Sequence, residues 1–532
     1  MAVLHRLAVI IKNPRNETEI LLIKQSRPPK FDDEEYDSYI DSDLWDLPST
    51  ELKSAERDFH SKFRIHGGDL YSDKIKLSQF DVDYALNQVL LQLGYDESEI
   101  DGNWEFCKYV EEPEFGPGSP VHTVFISGKL MLENDNLRGA FKWMTSQSCL
   151  NLLLGVKQSN DRIGPLISIG LLNDLMQSGT GNTSCALPCQ EYPPGVKLVP
   201  MGSKTAKPFL TTNLVIIAPD NVTDCCEDSD FAAYGDALIV DPGCRSQFYA
   251  ELAEIVVALP RKLVVFVTHH HHDHVEGLSV VQKNNPGAIL LAHESTMKRI
   301  GKGDWSSGYT AVSGEEEICI GGQRLKVIFA PGHTDGHMAL LHANTQSLIV
   351  GDHCVGQGSA LLDIASGGNM KDYFQTTYGF LDMSPHVLIP MHGRVNMWPK
   401  HLLCGYLKNR RSRESSILKA IESGAQTLYD ILAKTYFDVD PIYWIPASSN
   451  VRLHVEHLAQ QEKLPKEFSM RKFKSTCSLL FLSRWLWMYL RSGLLFKDKP
   501  IRKVQFFTFI AVAGFAIFYG VKPKLSVITQ LR

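Results

Sequence analysis

The chain has 532 residues, which is too long for a single hydrophobic core and favours roughly two to four domains. Its 44% hydrophobic and 21% charged residues describe an ordinary globular protein. The net charge of -6 hides an asymmetry, because residues 401–532 hold 21 Lys and Arg against 9 Asp and Glu, whereas the first 400 hold 33 against 51. A basic tail after an acidic body suggests a surface for phosphate-rich partners, either RNA or anionic lipid.

The N-terminus lacks a basic segment followed by a long apolar core, so no secretory signal is expected. The 11 cysteines include only two close pairs, Cys185/Cys189 and Cys225/Cys226, and neither has a partner pair at zinc-site spacing. We therefore expect reduced thiols in a cytosolic setting.

Residues 1–185 predict a mixed α/β domain that opens with two strands, at 7–12 and 19–24, around the turn Asn13-Pro14-Arg15-Asn16. An acidic loop and then Leu44-Trp45-Asp46-Leu47-Pro48 follow. This order of features resembles the start of a Nudix hydrolase fold.

The resemblance does not extend to the Nudix magnesium site, which needs a clustered Arg-Glu-x-x-Glu-Glu. The chain offers Ser49-Thr50-Glu51-Leu52 and then Glu56-Arg57-Asp58 instead. The resemblance therefore implies a Nudix-like shell without pyrophosphatase activity, and an unrelated α/β domain is the alternative. The polar segment 178–184 predicts a linker at the end of this domain.

A histidine-rich run at 268–274 follows the apolar residues 263–267. If a strand runs out into a loop here, His269 and His271 face one side, Asp273 can follow them, and His274 lies where the next helix begins. Three imidazoles and a carboxylate suit a borderline metal such as zinc. A polar loop that merely contains histidines is the plainer alternative.

Three further candidate ligands, His333, Asp352 and His392, also follow apolar runs. Side chains placed at strand ends converge along one edge of a sheet, where loops can hold a site. Each residue alone favours a structural role, but together with the histidine run they predict metal binding.

Four neighbouring histidines are interpreted separately. His337 and His293 are candidates for contacts with substrate or with the metal ligands. His270 and His272 should point away from the metals because side chains alternate along a strand.

These motifs, His-x-His-x-Asp-His, Pro-Gly-His-Thr, Gly-Asp and His-Gly, resemble the signature of the metallo-β-lactamase superfamily over residues 190–400. Residues 330–341 and the helical region that follows are most similar to the lactamase-β-like endoribonuclease branch. The resemblance implies an α/β fold, a four-layer αββα sandwich with metals on its upper edge.

The resemblance also implies a ligand set for two Zn²⁺ ions. One ion would be held by His269, His271 and His333, the other by Asp273, His274 and His392, with Asp352 between them. Two cations about 3.5–4 Å apart can share a hydroxide and steady both the attacking and the leaving oxygen. Asp273 is the candidate catalytic residue because it could orient that hydroxide. Manganese or iron could occupy similar ligands.

The C-terminal third predicts three segments. Residues 405–465 resemble the winged-helix-like domain of the same endoribonuclease branch, and Arg410, Arg411 and Arg413 either contact phosphate or form a solvated helix face. Residues 478–496 combine aromatic and basic side chains, which suits a helix in the membrane interface.

Residues 504–521 form an uncharged apolar run that is long enough to span a bilayer. They predict a transmembrane tail anchor, with the catalytic domains in the cytosol and the outer membrane of an organelle as a candidate location. A buried core helix is the alternative.

The sequence thus predicts a membrane-tethered dinuclear zinc hydrolase that cleaves single-stranded RNA phosphodiesters. One alternative is a thioesterase-like or glyoxalase-II-like hydrolase of small acyl substrates, which would use the same ligands. The other is a membrane adaptor in which zinc is only structural.

Overall fold

The structure is a computed structural model that describes residues 2–55, 64–66, 75–94, 103–129, 140–155, 161–176, 187–219 and 230–491. The chain divides into two compact units. The first comprises Met1–Ala360 and Asp372–Tyr406, and the second comprises Leu361–Lys371 and Leu407–Arg532. The N-terminal region and the predicted metal-binding region, apart from Leu361–Lys371, therefore belong to one unit. The predicted linker at 178–184 lies outside the described residues.

The N-terminal region is built on one mixed sheet. Its strands are β1 (Leu4–Lys12), β2 (Glu19–Lys24), β3 (Leu44–Asp46), β4 (Ser49–Glu51), β5 (Arg64–His66), β6 (Asn103–Val110), β7 (Val121–Lys129), β8 (Phe141–Thr145) and β9 (Arg162–Ile163). They run in the order β5-β6-β7-β1-β2-β3-β9, with β4 paired to β1 and β8 to β2. The α-helices of this region are α1 (Val82–Leu93), α2 (Ser146–Leu154), α3 (Pro165–Ile167) and α4 (Asn173–Met176).

Local sequence explains the position of α1 on this sheet. Asp81 caps the helix by accepting a hydrogen bond from the Tyr84 amide, and the helix ends at Gly94, whose φ of 84° favours glycine. Its apolar face, including Leu86 and Val89, is buried against the alternate residues of β1 that point to the same side.

Two sheets follow and face each other. Their strands are β10 (Gln190–Glu191), β11 (Val196–Gly202), β12 (Thr211–Ile217), β13 (Ala233–Gly235), β14 (Ala237–Val240), β15 (Leu263–Phe266), β16 (Ile289–Ala292), β17 (Tyr309–Ala311), β18 (Glu317–Ile320), β19 (Gln323–Phe329), β20 (Met338–His342), β21 (Ser347–Gly351) and β22 (Val387–Pro390). One sheet has the order β10-β11-β12-β14-β15-β16-β17 and the other β13-β18-β19-β20-β21-β22.

The α-helices of this region lie between its strands in the sequence. They are α5 (Tyr249–Ala258), α6 (His272–Val275), α7 (Leu278–Asn284), α8 (Glu294–Met297) and α9 (Met370–Met383). Val215 and Val264 of the first sheet share a core with Leu340 of the second. Leu252 of α5 and Leu278 of α7 belong to a separate core on the outer side of the first sheet.

Parallel pairing sets the edge at which the site forms. The strands β14, β15, β16 and β17 are paired in parallel, as are β21 and β22. Parallel strands end at the same edge of a sheet, so residues that directly follow them are brought together. The predicted ligands after β15, β21 and β22 occupy such positions.

The described part of the second unit from residue 407 to residue 491 consists of helices and their connections. Its helices are α10 (Pro399–Glu422, of which the part from Leu407 belongs here), α11 (Leu428–Thr435), α12 (Trp444–Gln460), α13 (Met470–Ser475) and α14 (Leu479–Arg491). Residues 407–491 contain no strand, and the winged-helix-like character of residues 405–465 stays a prediction. The helices share one core, which includes Ile417, Leu428 and Val451.

The predicted interfacial helix at 478–496 corresponds to α14, and residues 492–496 lie outside the described residues. Phe481 and Trp485 of α14 are buried in the core of the helical unit, and the Trp485 indole N–H donates to the Pro441 carbonyl at 2.7 Å. One face of α14 therefore packs against protein, whereas Leu479, Leu480 and Trp487 of the same helix are exposed.

The predicted membrane anchor is corrected. Among the helices that the structure describes, none is both long and apolar enough to cross a bilayer. The run 504–521 that suggested the anchor lies outside the described residues. The tail anchor, its membrane partner and the location at an organelle membrane are therefore not retained.

Among the cysteines that the structure describes, one departs from the expectation of reduced thiols. Seven of the described cysteines are free, and four of these are buried. Cys319 is disulfide-bonded, so the expectation of a reduced thiol is wrong at this position.

We predict that Trp485→Ala destabilises the helical unit by about 3–5 kcal/mol, because it opens a cavity in the core and removes the bond to Pro441. Trp487→Ala is the matched control, since Trp485 is 5% exposed and Trp487 is 64% exposed. Thermal unfolding of the full chain, followed by near-UV circular dichroism, measures the difference. Equal effects of the two substitutions would contradict the packing of α14.

Candidate metal centre

Three histidines from two loops form the first ligand group. His269 Nε2 lies 2.9 Å from His271 Nδ1, and His333 Nε2 lies 3.3 Å from His269 Nε2 and 3.1 Å from His271 Nδ1. His269 and His333 are buried. Ring nitrogens at these separations can face one cation, as in three-histidine metal sites.

A second group lies beside the first and consists of Asp273, His274 and His392. His392 Nε2 is 3.4 Å and His274 Nε2 is 3.9 Å from Asp273 Oδ2. The donor atoms of this group all lie within 4.8 Å of one another, as do those of the first group together with Asp352.

Asp352 faces both groups with different oxygens. Its Oδ2 lies 3.9 Å from His269 Nε2 and 3.8 Å from His333 Nε2. Its Oδ1 lies 3.4 Å from His274 Nε2 and 3.3 Å from His392 Nε2. A carboxylate in this position is suited to bridge two cations.

Two buried atoms at the centre of the cluster support the fit to metal ions. His274 Nε2 and Asp352 Oδ1 make no hydrogen bond to any residue that the structure describes. Buried polar atoms usually have a partner, and those without one require an explanation such as an ion. Imidazole nitrogens with carboxylate oxygens form the donor set that zinc and similar divalent metals prefer. The residues therefore fit two such ions.

The pKa shifts within the cluster show which of its groups favour the charged form and which favour the neutral form. Burial alone would lower the pKa of His392, but Asp352 and Asp273 outweigh burial and raise that pKa to about 10. Burial alone would raise the pKa of Asp352, but His392 and His274 hold it well below its usual range. In contrast, burial and the neighbouring His274 and His271 lower the pKa of His269 well below its usual value.

Close backbone packing fixes the loops that carry the ligands. A Cβ atom at Gly243 would lie 1.7 Å from the carbonyl oxygen of Asp273, so only glycine fits there. Gly351 has a φ of +57°, and a Cβ atom there would lie 2.4 Å from His337 Nε2. The Asp-Pro-Gly and Gly-Asp turns thus bring the ligand loops to within contact of one another.

Asp241 is a functional residue that the sequence analysis missed. It is fully buried; its Oδ2 accepts a hydrogen bond from His274 Nδ1 at 2.8 Å and from the Thr268 hydroxyl at 2.6 Å, while its Oδ1 accepts from the Thr268 amide at 2.7 Å. A carboxylate behind a metal-binding histidine fixes its tautomer and orientation. In the sequence, Asp241 directly follows the buried strand β14, just as several predicted ligands follow apolar runs.

His337 contacts the backbone of Asp352, one of the candidate ligands. Its Nδ1 donates to the Ala330 carbonyl at 3.0 Å, and its Nε2 accepts the Asp352 amide at 3.1 Å. Burial lowers the pKa of His337 to about 3, so the ring is neutral at pH 7 and can accept this bond. His337 therefore orients the backbone of Asp352.

Two other histidines of the analysis lie away from the ligand groups. His293 Nδ1 accepts the Ser295 amide at the start of α8, and its ring stacks on Phe329. His272 is 59% exposed and lies 3.1 Å from Glu276, in agreement with the expectation that it points outward. A substrate contact by His293 stays a prediction.

Comparisons with known proteins place this region in a family. The family model of the metallo-beta-lactamase superfamily matches residues 233–392. A beta-lactamase-like protein 2 homolog from Drosophila melanogaster is 25% identical over 242 residues, which is 43% of this chain and 80% of that protein. A hydroxyacylglutathione hydrolase from Gloeobacter violaceus is 35% identical over 187 residues, which is 34% of this chain and 64% of that protein.

Solved structures give a weaker likeness. A beta-lactamase domain protein from Burkholderia ambifaria has a TM-score of 0.44 at 17% identity, covering 57% of this chain and 97% of that one. A metallo-beta-lactamase family protein from Thermus thermophilus has a TM-score of 0.40 at 18% identity, covering 51% and 94%.

These matches do not confirm the endoribonuclease branch or the Nudix resemblance of residues 1–185. The segment Glu56-Arg57-Asp58, which stands in place of the Nudix magnesium motif, lies outside the described residues. The matched segment contains all seven predicted ligands, and the αβ sandwich beneath them is present. The chain therefore contains a metallo-beta-lactamase superfamily domain, a domain type of metal-dependent hydrolases.

Proposed function

We propose that this chain is a dinuclear metal-dependent hydrolase. One metal would bind to His269, His271 and His333, the other to Asp273, His274 and His392, and Asp352 would bridge them. The observation that carries the proposal is the carboxylate of Asp352, which turns one oxygen toward each group. If Asp352 served only one ligand group, its second oxygen would not be expected to face the other group.

When bound, two divalent cations would activate a water molecule and polarise the scissile bond. The chain itself contributes orientation and proton acceptance. Asp273 has 14% of its side chain exposed, so water can reach it. Burial would raise the pKa of Asp273, but His274 and His392 outweigh burial and lower it, which keeps the carboxylate ionised at pH 7. In this proposal the Asp273 carboxylate accepts a hydrogen bond from the attacking water and so orients it.

A small acyl substrate, a thioester in particular, is the substrate class that we favour. The support comes from relatives described as hydroxyacylglutathione hydrolases, which are 30–35% identical to parts of this chain. Single-stranded RNA is the second candidate, and it rests on the basic composition of residues 401–532. The two substrates require the same ligands, so the site does not separate them.

A structural zinc site is a different kind of alternative, and the site argues against it. Structural zinc is usually enclosed by four protein ligands. Here Asp273 and Asp352 each keep 14% of the side chain exposed at the cluster. Such access is typical of a site that admits water and substrate.

We predict that the unaltered chain binds two equivalents of zinc and that His269→Ala loses at least one of them, because this residue belongs to the first group. Hydrolytic activity should fall by roughly 100-fold or more, which exceeds the usual effect of altering an outer partner of a ligand. Metal content by mass spectrometry measures the stoichiometry. His272→Ala is the matched control from the same run, since it is exposed, and a loss of metal in that variant would contradict the assignment.

We predict that the metal-loaded chain hydrolyses a small hydroxyacyl thioester and that Asp273→Asn abolishes turnover while the fold is kept. The amide has nearly the same shape but cannot accept hydrogen bonds through two anionic oxygens. Release of free thiol measures the reaction, and unpaired RNA is tested in parallel. Cleavage of RNA without thioester turnover would reject the favoured substrate and support the second candidate.

We predict that Asp241→Asn weakens metal binding by about 10–100-fold, because the His274 ring loses the charged acceptor that orients it. The measurement is a competition titration with a chelator at fixed pH. Asp335→Asn is the control, since Asp335 is half-exposed and pairs with Arg299 at 2.6 Å rather than with a ligand. An unchanged affinity in Asp241→Asn would exclude the orienting role.

A further inference from the structure

The loop that joins β6 and β7 in the N-terminal sheet reaches into the sandwich. Phe115 of this loop is buried in the core between the two sandwich sheets, beside Leu198 and Val215. Gly116 has a φ of +129°, and a Cβ atom there would lie 2.9 Å from the Phe209 ring. The loop is therefore packed as part of the sandwich rather than as a free connection.

A bidentate ion pair links this loop to the chain that follows β22. Arg394 Nε donates to Glu112 Oε1 at 2.6 Å, and Arg394 Nη2 donates to Glu112 Oε2 at 3.0 Å. The same Nη2 donates to the Ser119 carbonyl at 2.8 Å, and the Val121 amide donates to Glu112 Oε2 at 2.6 Å. Paired N–H···O bonds of this type define orientation as well as distance.

Arg394 lies two residues after His392, a ligand of the second group. From the opposite side, Thr211 O accepts the His392 Nδ1 hydrogen at 2.9 Å. The Asn213 side chain donates to the carbonyl oxygens of Pro390 and Gly393, both at 2.8 Å. The turn that carries His392 is thus held by β12 on one side and by the β6–β7 loop on the other.

Phe209 connects the two sides. Its ring centroid lies 5.7 Å from that of His392, at an interplanar angle of 33°. A Cβ atom at Gly393 would lie 3.2 Å from the same phenylalanine ring. Gly116, Gly393 and His392 therefore all lie against the Phe209 ring, which links the β6–β7 loop to the turn that carries His392.

We propose that Glu112 is a positioning residue for the second ligand group and that it acts through Arg394 on His392. The inference rests on the proposed metal centre. A metal–nitrogen bond of about 2.0–2.1 Å tolerates little displacement, so loss of the clamp should affect this group first. The ligands His269, His271 and His333 lie on other loops and should be spared. The N-terminal sheet would then serve the site without contributing a ligand.

The test uses Glu112→Gln and Arg394→Lys in the full-length chain. Glutamine keeps the shape but loses the charge and one acceptor, and lysine keeps the charge but cannot form the paired bonds. Zinc titration against a competing chelator should show an unchanged first equivalent and a second equivalent weakened about tenfold. Hydrogen–deuterium exchange of peptides spanning residues 388–398 should become faster in both variants.

Glu17→Gln is the matched control. It removes the exposed ion pair of Glu17 with Lys129, at the far end of β7, and should leave both measurements unchanged. Unchanged exchange around His392 in Glu112→Gln and Arg394→Lys would overturn the inference, as would equal weakening of both zinc equivalents.

The exchange measurement separates this inference from the proposed function. Zinc absent from the unaltered chain would reject the metal centre, whereas faster exchange in the two variants would still show that the clamp holds the His392 turn. Two zinc ions in every variant, with no change in affinity, would keep the proposed function and reject the clamp.

Discussion

Mutual compensation between carboxylates and imidazoles that are buried or nearly buried is the constraint on which the site depends. Asp241, Asp273 and Asp352 are held at one edge of the sandwich among five histidines. Burying an ionised carboxylate is costly unless charge and hydrogen bonds compensate it. His274 and His392 respond by binding protons more tightly, as the raised pKa values of both residues show. Divalent cations would supply the same compensation through the nitrogen atoms that otherwise carry those protons.

The sandwich creates this constraint by bringing strand ends together. The parallel strands β14 and β15 place Asp241 behind His274, and β21 and β22 place Asp352 beside His392. Glycines at 243 and 351 let the connecting turns approach each other more closely than any side chain would allow. The cluster therefore follows from backbone topology and tight turns, and the side chains are already oriented by partners such as Asp241 and His337.

Outside the metal-binding domain, too, hydrophobic cores are completed by residues from distant parts of the chain. Phe115 leaves the N-terminal sheet to fill the core of the sandwich, so the two regions belong to one compact unit. In the second unit, Trp485 and Phe481 bury an amphipathic face that would otherwise need another apolar surface. In each case an aromatic residue that looks separate in the sequence completes a core elsewhere in its own unit.

The sequence by itself determined the seven candidate ligands, because imidazoles and carboxylates in short motifs after apolar runs have few other roles, and parallel strands bring such ends together. It also indicated the α/β sandwich through the resemblance carried by those motifs. Only the tertiary structure decided which groups stand behind the ligands. Asp241 precedes His274 by 33 residues, and Glu112 precedes Arg394 by 282, so no local pattern reveals either pair. The environment of α14 was decided in the same way: an amphipathic pattern shows that a helix needs an apolar partner, but which surface supplies it depends on the packing of α11 and α12.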